Sequence, residues 1–220
     1  MKSEVYREVV YDHVIDYINS FNDPGYLKDM RDYAEENHVP ILERETESFI
    51  KFLLNTTTPK KVLELGTAIG YSAISFTLNS GIESYTTVEL REDFTEIARE
   101  NIKKYNVDNV IEVINGDAYE VVKTLQDVYD IIFIDAAKGQ YKKYFDECEK
   151  LLSDEGIIIC DNILFRGMVT KKELAVRRKK TIIKRLNEFI SYIKNDERFI
   201  SSILPIGDGL LLVRRKVWKK

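Results

Sequence analysis

The chain has 220 residues, 44% of them hydrophobic, enough for one α/β domain with an ample core. No apolar run approaches the ~18 residues of a membrane span, and Met1-Lys2-Ser3-Glu4 opens an amphipathic stretch rather than a signal peptide; a membrane partner is excluded and a cytoplasmic setting expected. The net charge of −4 hides a basic block: Arg166 to Arg185 holds nine Lys/Arg against one acid, Glu173, while residues 1–165 sum to −15. Such segregation points to an anionic partner, with a solvated helix face as the plain alternative.

In chain order, apolar spacing predicts helices over Glu4 to Asn19, Gly25 to Asn37 and Glu43 to Leu54, with His38-Val39-Pro40-Ile41 breaking the second from the third. Residues 1–55 read as this helical lead and 60–220 as the α/β core. The apolar strand Val62-Leu63-Glu64-Leu65 then runs into Gly66-Thr67-Ala68-Ile69-Gly70, a turn that lets a small ligand rest on bare backbone. Thr67-Ala68 occupy the place where a dinucleotide fingerprint has its second glycine, which disfavours a nicotinamide dehydrogenase. No lysine follows Gly70, so a phosphate-gripping P-loop fails as well.

Four more strands follow, Ser84 to Glu89, Val110 to Ala118, Tyr129 to Asp135 and Gly156 to Asn162, with helices such as Phe94 to Tyr105 and Tyr141 to Leu152 between them. Near-continuous Val/Ile runs indicate strands covered on both faces, hence a parallel sheet. Glu89, Asp117, Asp135 and Asp161 stand at strand ends, where open α/β sheets bind ligands; singly each reads as a loop cap, together they share one rim. A further helix is expected over Arg177 to Arg185, then strands Ile200 to Pro205 and Leu210 to Arg215 joined by Gly207-Asp208-Gly209. Cys148 on a helix and Cys160 in a strand read as reduced, packed thiols.

Asp135, Asp161 and Asn162 lie at the ends of two strands expected to be neighbours. Two carboxylates and an amide offer oxygen ligands only, which suits a hard cation such as Mg²⁺ and leaves positions open for substrate. Zinc would want cysteine or histidine, and His13 and His38 lie far off in the helical lead. Lys138, three residues past Asp135, would act beside that cation as a general base for a hydroxyl; without a metal it reads equally well as a solvated helix-start lysine.

The turn Leu65-Gly66-Thr67-Ala68-Ile69-Gly70 resembles motif I of the S-adenosylmethionine (SAM) methyltransferases. Ile134-Asp135-Ala136-Ala137-Lys138, Asp161-Asn162 and Gly207-Asp208-Gly209-Leu210 resemble the cation-dependent O-methyltransferases of the catechol and caffeoyl-coenzyme A type, from about Val39 onward. Within that group, residues 38–41, 66–74, 133–141 and 161–167 are similar to the bacterial tRNA 5-hydroxyuridine methyltransferases. The resemblance implies a Rossmann-like SAM-methyltransferase sheet of seven strands, mostly parallel with a C-terminal antiparallel hairpin, preceded by N-terminal helices. It implies SAM contacts from Val39, Gly66, Ser72, Glu89, Asp117, Ala118 and Asp135, with Glu64 beside them, and metal binding by Asp135, Asp161 and Asn162. Catalysis is expected from Lys138 and Asp135, and the protein is expected to be a homodimer.

The substrate expectation is the 5-hydroxyl of 5-hydroxyuridine at the tRNA wobble position. That hydroxyl and its neighbouring carbonyl chelate a cation much as a catechol does. Arg166, Arg177, Arg178, Lys179 and Lys180 would then grip anticodon-loop phosphates. Tyr141, Tyr144 or Phe165 could stack on the base, or simply pack. The alternatives are an O-methyltransferase of small catechol-like molecules, and a noncatalytic SAM- or RNA-binding protein, which would have no use for Lys138 and the metal trio.

Overall fold

In a computed structural model, residues 10–22, 25–170 and 179–216 are described. Strands β1 (Lys61–Leu65), β2 (Ser84–Glu89), β3 (Ile111–Asn115), β4 (Tyr129–Ile134), β5 (Leu152–Cys160), β6 (Phe199–Leu204) and β7 (Leu210–Arg215) form one sheet in the order β3-β2-β1-β4-β5-β7-β6. β1 to β5 run parallel, and β7 inserts antiparallel between β5 and β6. This is the expected seven-stranded sheet with its antiparallel hairpin.

Alternation along the strands divides the apolar side chains between two layers. Val62, Ile131 and Phe133 face helices α3 (Arg44–Thr57), α4 (Tyr71–Leu78) and α5 (Glu92–Lys104), packing with Ile50, Phe76 and Ile102. Leu63, Leu65, Ile132 and Ile134 face α6 (Ala118–Val122), α7 (Tyr141–Cys148) and α8 (Lys180–Asn195), packing with Phe145, Leu186 and Phe189. Glu64 lies between Leu63 and Leu65 and so shares the face of Val62, among apolar neighbours. Cys148 and Cys160 are free and buried. No helix among the described residues is long and apolar enough to cross a membrane.

Several boundaries differ from expectation for identifiable reasons. The third strand stops at Asn115, because the Asp117 carboxylate accepts from Tyr119 N (3.0 Å) and Glu120 N (3.2 Å) and starts α6. The helix expected to reach Leu152 ends at Cys148, and β5 begins at Leu152 itself. There the Arg215 guanidinium donates to the carbonyls of Leu152 (2.9 Å) and Glu149 (2.5 Å), satisfying a helix end inside the fold. Among the described residues α8 starts at Lys180 and extends to Asn195, carried on by the buried stripe Ile183, Leu186, Phe189 and Ile193. Of the first expected helix, residues 4–9 lie outside the described residues, and α1 covers Asp12–Asn19.

The helical lead is locked to the sheet by one buried acid. Glu47 on α3 accepts from Arg31 of α2 (Lys28–Glu36) at 2.6 Å, from Tyr71 Oη at 2.8 Å and from Ser75 Oγ, while the Arg31 guanidinium lies 4.4 Å over the Tyr71 ring. Burial pushes the Glu47 carboxyl up, but these donors outweigh it and hold the group below the usual carboxylate range. Glu47→Ala strands a guanidinium that is only 13% exposed, so it is expected to cost about 3–5 kcal/mol in denaturant unfolding. Arg31→Ala combined with it should cost less than the sum of the singles. Strict additivity in that double-mutant cycle would refute the lock.

Candidate active site

Strand order reverses between β1, which leads on to β2, and β4, which leads on to β5, so the crevice at their carboxyl ends is the fold's switch point. Gly66 stands there with φ +105°, and a Cβ built on it would lie 2.1 Å from the Asp135 carbonyl oxygen. Only glycine permits this approach. The strand ends are tied together by Asp135 N to Leu65 O (2.9 Å), Gly66 N to Val88 O (2.9 Å) and Asp161 N to Ile134 O (3.0 Å).

A cleft of about 600 Å³ opens above this junction. Its walls bring together Gly66, Glu89, Asp117, Ala118, Asp135, Lys138, Asp161 and Asn162, eight of the residues singled out in the sequence. Val39, Glu64 and Ser72 are not among its lining residues. Glu89 accepts from Ala68 N and Arg91 N (both 2.9 Å), which staples the glycine turn to the end of β2. Asp117 caps α6 with one oxygen, leaving the other without a partner among the described contacts. Both acids are therefore loop caps and cleft walls at once, and each keeps lone pairs for a ligand's hydroxyl or amino group. Beside them Leu90, 67% exposed, and Phe94 make an apolar shelf suited to a flat heterocycle.

Beneath the turn, Glu64 is fully buried and accepts from Ser72 Oγ and from Thr87 Oγ1 (2.7 Å), which is itself bonded to Thr67 Oγ1 (2.6 Å). Burial raises the Glu64 carboxyl to about 7, partly offset by the Ser72 and Thr87 bonds.

At the other end of the cleft Asn162 joins the two acids. Its side-chain amide donates to Asp135 Oδ1 (3.0 Å) and its backbone N–H to Asp161 Oδ1 (2.5 Å). Burial drives the Asp161 carboxyl well above its ordinary value and the neighbouring Asp135 charge adds to it. Burial also raises Asp135, against the pull of Lys138 and the Asn162 bond. Like charges packed away from water call for a counter-charge. No group of three His, Cys, Asp or Glu side chains that could hold a metal occurs among the described residues; the third polar side chain beside the two acids is the Asn162 amide. Two carboxylates and an amide, with Asn162 Oδ1 left free, fit a hard divalent cation.

Sequence patterning gave no sign of Glu43, Leu90, Phe94 or Gln140 in the cleft wall; only the position of Leu90 directly after a strand-end acid could have marked an apolar shelf. Tyr141 is packing rather than a stacking surface: it is buried against Phe189, with its hydroxyl donating to Asp161 O (2.8 Å). Tyr144 lines the cleft while largely buried. Arg166 is exposed at the loop after Asn162, and Lys179 lies 5.1 Å over the Phe165 ring. Lys180 begins α8, whereas Arg177 and Arg178 lie outside the described residues.

The sequence profile described as O-methyltransferase matches residues 18–216. The chain belongs to the O-methyltransferase family. A Dictyostelium discoideum protein named Probable caffeoyl-CoA O-methyltransferase 3 is 30% identical over 94% of this chain and 91% of its own. A crystal structure from Staphylococcus aureus superposes with TM-score 0.87 at 33% identity, covering 93% of this chain and all of that one. An SAH-bound methyltransferase of Podospora anserina does so with TM-score 0.85 at 27% identity, over 94% and 95% of the two chains.

The buried Glu64 makes this O-methyltransferase sensitive to pH in a definite direction. Its folded pKa lies above its unfolded one, so its contribution to stability is full below about 4.5, falls as pH rises and is gone above about 7. Glu64 alone should account for a loss of up to about 3 kcal/mol between those limits. Glu64→Gln should flatten that slope in urea melts at stepped pH. An unchanged slope in the variant would place the titrating group elsewhere.

Proposed function

We propose that the protein transfers the methyl group of SAM, with the help of a divalent cation, to a hydroxyl that has a second oxygen beside it, first of all on a small catechol-like molecule. One observation carries this: the glycine turn, the acid trio and Lys138 open into a single cleft, so a methyl donor and a chelated acceptor would share one space. Caffeoyl-CoA names among the relatives support the small-molecule acceptor over a nucleoside.

Glu89 and Asp117 would hold the ribose and adenine ends of the cofactor, Gly66 and Ala68 would offer bare backbone, and Leu90 with Phe94 would cover the ring. Asp135, Asp161 and Asn162 would hold the cation, Mg²⁺ in the first instance. When bound, SAM supplies an electrophilic methyl group and the cation lowers the pKa of the acceptor hydroxyl. Lys138, held at the same rim, takes the proton from that hydroxyl.

The basic segment favours a second reading, methylation of 5-hydroxyuridine in a tRNA anticodon loop. Arg166 is exposed in the loop after Asn162, Lys179 lies over Phe165 of the same loop and Lys180 begins α8; phosphates of a tRNA or of a coenzyme A thioester would meet such cations.

Asp161→Ala should abolish turnover of a 3,4-dihydroxy aromatic, and excess chelator should do so reversibly; full activity in chelator would sink the cation reading. Lys138→Ala is expected to lower kcat about 10²-fold while sparing SAM affinity, with part of the loss recovered at high pH. Neutralising Arg177, Arg178, Lys179 and Lys180 together separates the two acceptors. Turnover of a small catechol should survive it, while tRNA binding, if it occurs, should weaken and lose up to ~4 units of salt slope. Robust methylation of hydroxyuridine-containing tRNA with none of catechols would reverse the order of the readings.

A further inference from the structure

The loop that follows Asn162 is held in an unusual backbone. Asn162, Phe165 and Arg166 have φ of 57°, 47° and 54°, left-handed values on three residues with side chains, and Gly167 follows at 70°. Such conformations persist only where their surroundings impose them. The surroundings here are the turn between β6 and β7. Ile163 N donates to Gly209 O (2.9 Å), Leu164 N to Asp208 O (3.0 Å), and Arg166 N to the Asp208 carboxylate. The two segments are in direct contact: a Cβ on Gly209, itself at φ +90°, would lie 2.4 Å from Leu164 Cγ.

Asn162 is the first residue of this loop, so the aim of its amide at Asp135 depends on the backbone that follows. The Arg166 side chain is exposed, and its backbone N–H is the group that meets Asp208. The half-buried Asp208 carboxylate is committed to the Arg166 amide, and the cations whose charges act on it are Lys138, Arg166 and Lys179. It braces the loop rather than joining the acid trio.

We propose that Asp208 is a positioning residue for the cation site: its carboxylate and its turn's carbonyls clamp residues 163–166 and thereby hold the Asn162 amide between Asp135 and Asp161. This rests on the cation reading of that trio, and its test reads the loop and the ion separately. Mn²⁺ serves as the probe, titrated calorimetrically into the full chain, and amide hydrogen exchange over residues 162–168 reports on the loop without any metal. Asp208→Ala should weaken Mn²⁺ binding about tenfold or more and speed exchange in that segment. Asp208→Asn keeps an acceptor oxygen and should behave like the parent in both measurements. It also supplies the reading if the alanine variant does not fold, because a weakened asparagine variant would mean that charge, not the hydrogen bond, matters.

Parent-like affinity or parent-like exchange in Asp208→Ala overturns the proposal, as does an asparagine variant no better than alanine. A parent chain that takes up no Mn²⁺ overturns the cation reading itself. The exchange rates distinguish that failure from a failure of the brace.

Discussion

The closest constraint in the molecule is the contact between Gly66 and the Asp135 carbonyl, which no other residue at position 66 could make. It lies where the sheet changes direction. On one side the chain forms the glycine turn and the end of β2; on the other it forms the acid trio and Lys138. Because the backbones nearly touch, the two halves of the cleft open into one space rather than two neighbouring pockets. A methyl donor and an acceptor held on either side would meet without a hinge or lid having to bring them together. Every other feature of the site is arranged around that junction.

Such a site is costly to fold. Glu64 is fully buried beneath the glycine turn, Asp161 is nearly as deep beside Asp135, and Ala68, Asn162, Phe165 and Arg166 near them hold left-handed backbone. Each departs from what stability alone would select. The compensation lies outside the cleft, in two continuous apolar layers on the faces of the sheet and in the Glu47 cluster that ties α2, α3 and α4 together. The molecule is rigid where it packs and electrostatically loaded where it would bind.

Much of this was legible in the sequence. Apolar runs of five or six residues marked the strands, and an acid at each run's end marked the rim, because side chains at strand ends have nowhere to point but the crevice. Asp135, Asp161 and Asn162 were visible for that reason. Residues whose place depends on how separate segments meet were not. Glu43 reaches the cleft rim from the start of α3, Leu90 and Phe94 from the entry to α5, and Asp208 acts on a loop 42 residues earlier in the chain. Glu89 and Asp117 could each be read as a loop cap or as part of the rim; that each does both at once depends on a carboxylate's spare lone pairs, which leave no trace in spacing. The boundary of β5 was misplaced because Arg215, far away in sequence, satisfies the carbonyls that end the preceding helix.

The position of β7 carries a consequence for how the protein is made. It is the last of the seven described strands in chain order, yet it lies inside the sheet, pairing with β5 on one side and β6 on the other. While the polypeptide is still emerging from a ribosome, the glycine turn, β1 to β4 and the acids Glu89 and Asp117 can already assemble from neighbouring segments. The edge of β5 stays unpaired until the final hairpin arrives, and so does the loop beginning at Asn162. In chain order, the residues that would hold a methyl donor thus precede most of those that would hold an acceptor. Termination between residues 161 and 210 would leave the β5 edge without β7, a template for aggregation, and the site incomplete.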